Sequence, residues 1–195
     1  MLKKKEIIYR ELLTRALTEK QIAFTQLALS KKFGFSLSTI SNALKPLARI
    51  GIVEKRSRSF ILVDTRKLLL FWASVRNTRK DVVYETRSDL PAMKIEASMP
   101  AGAVFTAFSG YRLLFKDAPA DYGEVYCYAD EKTLKEIRIR FPEKNGPPNV
   151  IVLSKDAYMG SRPTAPSPQV YADLWNIKEW YAKEYLDALE RRLFR

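Results

Sequence analysis

Histidine is absent from the chain, and cysteine occurs once, at Cys127. Without histidine there is no Ser-His-Asp triad, no imidazole general base and no imidazole metal ligand. A lone cysteine excludes an internal disulfide and any zinc site built on several thiolates. No apolar run reaches bilayer-spanning length, and the N-terminus lacks the apolar core of a secretory signal. A cytoplasmic chain that engages no membrane is therefore expected. There is neither a P-loop nor a GxGxxG. Ser109-Gly110 reverses the Gly-Ser order of a nucleotidyltransferase turn, and Asp117 and Asp121 stand in a proline-containing stretch instead of alternating along a strand. Both aspartates read as turn formers, and Cys127 reads as a small buried apolar residue. No enzyme, no cofactor and no metal site are expected.

What the chain does have is positive charge, unevenly placed. The net charge is +12. Residues 1–80 hold 18 Lys+Arg against 5 Asp+Glu, a balance of +13, whereas residues 81–195 hold 16 against 17. A basic part beside a neutral part is the arrangement of a nucleic-acid module joined to something else. Hydrophobic residues make up 47% of the chain, enough for real cores. The polar residues 77–81 mark a candidate boundary. The expected fold is α+β in two domains, 1–80 and 81–195.

Residues 25–63, TQLALSKKFGFSLSTISNALKPLARIGIVEKRSRSFILV, carry the most information. Thr25 caps a short helix with Leu27, Ala28 and Phe33 as its apolar positions, and Gly34 ends it. Ser36 caps a second helix whose apolar stripe is Leu37, Ile40, Leu44 and Leu47. Stepping about 100° per residue from Ile40 places Ser38, Asn42, Lys45 and Arg49 on the opposite face. Short hydrogen-bonding groups near the start and cations towards the end suit a helix entering the DNA major groove. A merely solvated face would favour Glu, Lys and Gln over Ser and Asn. Pro46 predicts a kink or break in this helix. Two short β runs then flank the basic turn Arg56-Ser57-Arg58. Helix, turn, helix and β-ribbon together resemble a winged helix-turn-helix.

The other elements follow in order. Residues 3–17 read as a first helix, with 18–22 as a connection. Residues 66–77 read as a helix capped by Asp64 or Thr65, its wide apolar face formed by Leu68, Leu69, Phe71, Trp72 and Val75. Beyond the boundary, residues 81–86, 124–129 and 149–153 read as strands. Residues 90–99, capped by Asp89, and 104–115 read as helices. Asp130 caps another, which a strand-like IRIRF ends. Residues 155–168, rich in Pro, Ser and Gly, read as a mobile loop, and 177–193 as a last helix.

Several phrases in this second half, FTAFSGYRLLF, EVYCYAD, NVIVL and SPQVYADLWNIKEWYAKEYLDAL, follow the winged-helix pattern in order. That order resembles the AbiEi-like family of transcriptional regulators and type IV antitoxins. The resemblance implies an N-terminal DNA-binding domain that represses its own operon. It also implies a C-terminal domain that opposes a nucleotidyltransferase-like toxin. DNA contact is carried over to Ser38, Thr39, Asn42, Lys45, Arg56 and Arg58.

The expected function is therefore that of a sequence-specific regulator binding double-stranded DNA, an autorepressor of antitoxin type. The alternatives are a ligand-sensing regulator without a toxin partner and, behind it, a nucleotidyltransferase-like enzyme. For the ligand-sensing reading, Phe105, Phe108, Tyr111, Tyr126 and Tyr128 are the candidate pocket residues. Trp175, Trp180 and Tyr181 are candidate anchors for a protein partner. A homodimer is expected, because a specific site needs two half-sites about 34 Å apart. Residues 68–75 are the favoured dimer contact, with the last helix as the alternative.

Overall fold

The computed structural model describes residues 2–194. Among these, nine α-helices and two sheets form a mixed α+β chain. It divides into two compact units, Lys3–Arg76 and a second from Asn77 onward. The break falls at the start of the polar stretch at 77–81, because Thr78–Asp81 is already a 3-10 turn leading into the second unit's first strand.

The first unit runs α1 (Lys4–Thr18), β1 (Ala23–Phe24), α2 (Gln26–Phe33), α3 (Leu37–Arg49), β2 (Val53–Lys55), β3 (Phe60–Leu62) and α4 (Thr65–Val75). Its antiparallel sheet has the order β1-β3-β2. The helix ends are set by their caps. The side chains of Thr25, Ser36 and Asp64 accept the N–H groups of Ala28, Thr39 and Lys67. Gly34 closes α2 in the left-handed conformation, φ 62°. The core is the packing of α1 on α3 and α4, built from Ile8, Leu12, Leu13, Ile40, Leu44, Leu47, Leu69 and Trp72. The Tyr9 hydroxyl donates to the Ala43 carbonyl at 3.0 Å and fastens α1 to α3.

Two expectations are corrected here. Leu27 and Leu37 are 55% and 50% exposed, Ala28 is also exposed, and the buried positions are instead Leu29 on α2 and Ala43 on α3. Helix α3 runs unbroken through Pro46. The carbonyl that loses its N–H partner belongs to Asn42, an exposed residue, so water can satisfy it. The connection at 18–22 is followed directly by β1, which pairs with β3. Within the chain, Leu68, Leu69 and Trp72 of α4 are fully buried, while Phe71 is half-buried and Val75 is exposed.

The second unit runs β4 (Val82–Thr86), α5 (Ala92–Ala97), β5 (Val104–Thr106), α6 (Ala107–Phe115), β6 (Val125–Ala129), α7 (Glu131–Arg140), β7 (Val150–Ser154), α8 (Ser167–Leu174) and α9 (Ala182–Leu193). The sheet order is β4-β7-β6-β5. Strands β6 and β7 are parallel and joined through α7, while the outer pairs are antiparallel. On one face Val150, Val152, Val125, Cys127 and Tyr84 pack with Ile95 of α5 and Ile137 of α7. Alternation sends Ile151, Leu153, Tyr126 and Tyr128 to the other face.

There, Asp173 of α8 is buried and accepts the hydroxyls of Tyr128 at 2.6 Å and Thr106 at 2.7 Å, and the Gln169 amide at 3.0 Å. Helix α6 can lie close to α8 only because residue 110 is glycine. A Cβ there would meet Val170 at 3.0 Å and the Phe105 carbonyl at 3.2 Å.

Residues 104–115, expected as one helix, split into β5 and α6 at Ala107, which takes the left-handed φ of 51°. Asp89 does not cap α5. Pro91 stands at the N-cap, and the Asp89 carboxylate is held by Lys144. IRIRF is not a strand, because α7 continues to Arg140. The 155–168 stretch is pinned to β5 by Pro163 and Ala165, each bonded to Phe105 at 2.8 Å. The last helix begins at Ala182, and α8 precedes it.

Burial decides the first unit's stability. Leu44→Ala is expected to cost about 2–5 kcal/mol, whereas Leu27→Ala stays within about 0.5 kcal/mol. Urea denaturation of the two variants, followed by circular dichroism, checks this, and equal losses would contradict it.

Candidate nucleic-acid interface

Helix α3 sorts its residues as an amphipathic helix must, with Ile40, Ala43, Leu44 and Leu47 inward and Ser38, Asn42, Lys45 and Arg49 exposed. Thr39 is half-buried. The hydroxyls at the start of the helix are tied together. Ser36 Oγ lies 2.9 Å from both Ser38 Oγ and Thr39 Oγ1, and it accepts the Thr39 N–H at 3.2 Å. Three oriented hydroxyls therefore surround the positive end of the helix dipole. At the other end, Lys67 Nζ donates to the Ile50 carbonyl at 2.6 Å and ties the start of α4 to the end of α3.

The turn between β2 and β3 is closed by Arg56 N–H donating to the Ser59 carbonyl at 2.9 Å. Arg56 and Arg58 are both exposed on it. Among the described residues, Lys45, Arg49, Arg56 and Arg58 engage no acidic side chain. Three other cations of the same unit are matched by carboxylates. Glu11 takes both Arg15 and Lys32, each at 2.5 Å, and Arg76 lies 3.8 Å from Glu6. Residues 3–76 hold 16 Lys+Arg against 5 Asp+Glu, so the excess charge is concentrated on a small body.

Exposed cations outside the expected contacts include Lys31 on α2 and Lys55 at the end of β2. The run Lys55-Arg56-Ser57-Arg58 contained the signal for the second. Hydroxyl contacts bring Ser36, Ser38 and Thr39 together, and no hydrogen bond or ion pair joins Arg56 or Arg58 to α3.

The residues weighed for other chemistries are placed differently. Ser109 is fully buried, Asp117 is paired with Arg192 at 2.5 Å, and Asp121 is exposed. Among the described residues, no group of three or more Asp, Glu or Cys side chains is placed to hold a metal ion. Phe108, Tyr111 and Tyr128 are core residues. Phe108 stacks among Tyr122, Tyr126, Tyr181 and Tyr185 with ring centroids 5.0–6.2 Å apart. Of the five aromatics weighed for a pocket, Tyr126 lines a cleft of the second unit. Trp175 and Trp180 are exposed.

No protein-family model matches the chain, and neither the curated proteins nor the solved structures contain a match. No helix of the described residues is long and apolar enough to cross a membrane.

Cys127 is fully enclosed in the sheet core, and burial pushes its thiol up to about 12. A raised thiol value means the reactive thiolate forms only at strongly alkaline pH. A thiol reagent at pH 8 is expected to leave the folded chain unlabelled and to label it fully in guanidinium. Stoichiometric labelling of the folded chain within minutes would contradict this.

Proposed function

We propose that the chain is a winged-helix transcriptional regulator that binds double-stranded DNA sequence-specifically, with α3 as the recognition helix and the β2–β3 hairpin as the wing. The observation that carries this reading is the exposed face of α3, polar at its start, cationic at its end and free of acidic partners. The element order and the β1-β3-β2 sheet suit this use, since the hairpin follows the recognition helix directly. On this reading Ser38, Thr39 and Asn42 reach base edges or nearby phosphates, and Lys45, Arg49, Arg56 and Arg58 hold the backbone. The likeness to AbiEi-like proteins extends the proposal to an autorepressor of antitoxin type, with a nucleotidyltransferase-like toxin as its counterpart.

Selection of duplexes from a random library by the full chain, followed by titration on the selected site, tests the reading. If about 6–8 phosphates are neutralised, affinity falls on the order of a thousandfold between 50 and 200 mM salt. Asn42→Ala is expected to relax preference at one or two positions and to cost about 1–3 kcal/mol on the selected site. The double variant Arg56→Ala, Arg58→Ala weakens all duplexes alike. A full chain that binds no duplex at low salt would end the proposal, and reversed phenotypes for the two variants would exchange the assigned roles.

The regulator is further proposed to act as a homodimer, so that two copies of α3 meet successive major-groove faces. With Leu68, Leu69 and Trp72 enclosed, the contact is assigned to the unit that begins at Asn77, whose last helix keeps Leu186 half-buried. Sedimentation is expected to give a dimer at micromolar concentration, which Leu186→Glu converts to a folded monomer. A wild-type monomer would remove the dimer from the proposal.

A further inference from the structure

The second unit holds a cleft that the DNA-binding reading does not use. Its volume is about 670 Å³, within the range of small-ligand sites. Ile151 and Leu153 of the central strand β7, with Val82 and Tyr126 beside them, form an apolar floor. This is the sheet face that α5 and α7 leave uncovered.

The charged groups lining the cleft are Arg79, Glu85, Glu124, Lys178 and Glu179, which carry one negative charge in excess. Their distribution matters more than their sum. Arg79 and Glu85 neutralise each other through a two-pronged ion pair, with one arm at 2.9 Å. Glu124 is answered only by the Tyr181 hydroxyl, and Glu179 by no side chain among the described residues. Lys178 is exposed, so water screens it. Two half-buried carboxylates thus face an apolar floor without a cation of their own. Burial first, and then the charges of Glu179 and Glu124, push the Tyr126 phenol above its usual value. At neutral pH that phenol is a neutral hydrogen-bonding group beside both carboxylates, and its ring attracts cations.

The geometry points to a binding site for a small organic monocation, an amine or guanidinium on an apolar body. The cationic head sits between Glu124 and Glu179, and the body lies on Ile151, Leu153 and the Tyr126 ring. Two carboxylates without a cation, beside an apolar floor and an aromatic ring, complement a cationic head on an apolar body. The site lies wholly within the second unit and is independent of the DNA-binding reading.

Calorimetry of the full chain without DNA provides the test, with tryptamine as the cationic probe. Its neutral analogue tryptophol and the anion indole-3-propionate are the comparisons. Tryptamine is expected to bind saturably at one per chain, with the other two at least about tenfold weaker. Glu179→Gln, which breaks no contact of the fold, should weaken tryptamine by about three- to tenfold and leave tryptophol unchanged. Glu124→Gln should act likewise, since its amide oxygen still accepts the Tyr181 hydroxyl, and melting curves confirm that both variants fold. Absence of saturable tryptamine binding up to about 10 mM would overturn the site. So would equal binding of tryptophol, or a Glu179→Gln chain with unchanged affinity. An Arg-rich peptide that binds the cleft and is not displaced by tryptamine would also overturn the small-ligand assignment.

Discussion

The burial of Ile40, Ala43, Leu44 and Leu47 against α1 is the constraint from which the first unit's surface follows. A helix with one stripe enclosed has no freedom to choose its outer face. Ser38, Asn42, Lys45 and Arg49 must then stand in solvent, because 3.6 residues per turn put them opposite the stripe. The same packing enlists Tyr9, whose hydroxyl reaches the Ala43 carbonyl, and burial with the nearby Glu6 charge pushes that phenol up to about 12. Tyr9 therefore remains a hydrogen-bond donor throughout the physiological range, and rotation of α3 about its own axis would break that bond as well as the apolar contacts.

In the second unit, β7 has the corresponding position. It pairs with β4 on one side and β6 on the other, and both of its faces are enclosed along most of its length. A strand buried on both faces reads as an uninterrupted apolar run, which is what Val150 to Leu153 is. Covering two faces takes two different solutions. Helices α5 and α7 meet the first face chiefly with apolar side chains such as Ile95 and Ile137. The second face receives α8 through a buried carboxylate, Asp173, which Tyr128, Thr106 and Gln169 satisfy together. Removing one of the three donors would weaken the satisfaction of this buried carboxylate at a cost of about 1–3 kcal/mol. The cluster therefore fixes the rotation of α8 on the sheet more sharply than apolar contact would.

Elements announced by a cap or a long period were legible in the sequence. Ser36, Thr25, Asp64 and Asp130 all stand where a helix begins, and each side chain accepts the N–H three residues on. The failures have physical causes. Strands β1 and β5 have two and three residues, too few to show a period. In IRIRF the apolar residues alternate, which fits a strand, yet the run stays helical with Ile137 buried and Ile139 81% exposed. Leu27 and Leu37 show that apolar type is not burial. The polar and cationic face of α3 was visible because one helix carries all of it. The cleft was not, because its lining comes from separate segments that only the sheet brings together.

Whether a cation is already paired has an energetic consequence for binding a polyanion. From Asn77 onward, Arg79, Arg112, Arg140, Lys144 and Arg192 are each matched by a carboxylate, namely Glu85, Glu96, Glu136, Asp89 and Asp117. To offer such a cation to a polyanion, the chain must first break the pair and leave a carboxylate facing the incoming charge. Lys45, Arg49, Arg56 and Arg58 have no pair to break. Their attraction to a phosphate chain is offset only by loss of hydration and side-chain freedom, and the released counterions favour association. Exposed ion pairs contribute little to stability. Leaving these four cations unmatched therefore costs the fold almost nothing, while it keeps the whole of their charge available on the exposed face of α3 and on the β2–β3 turn.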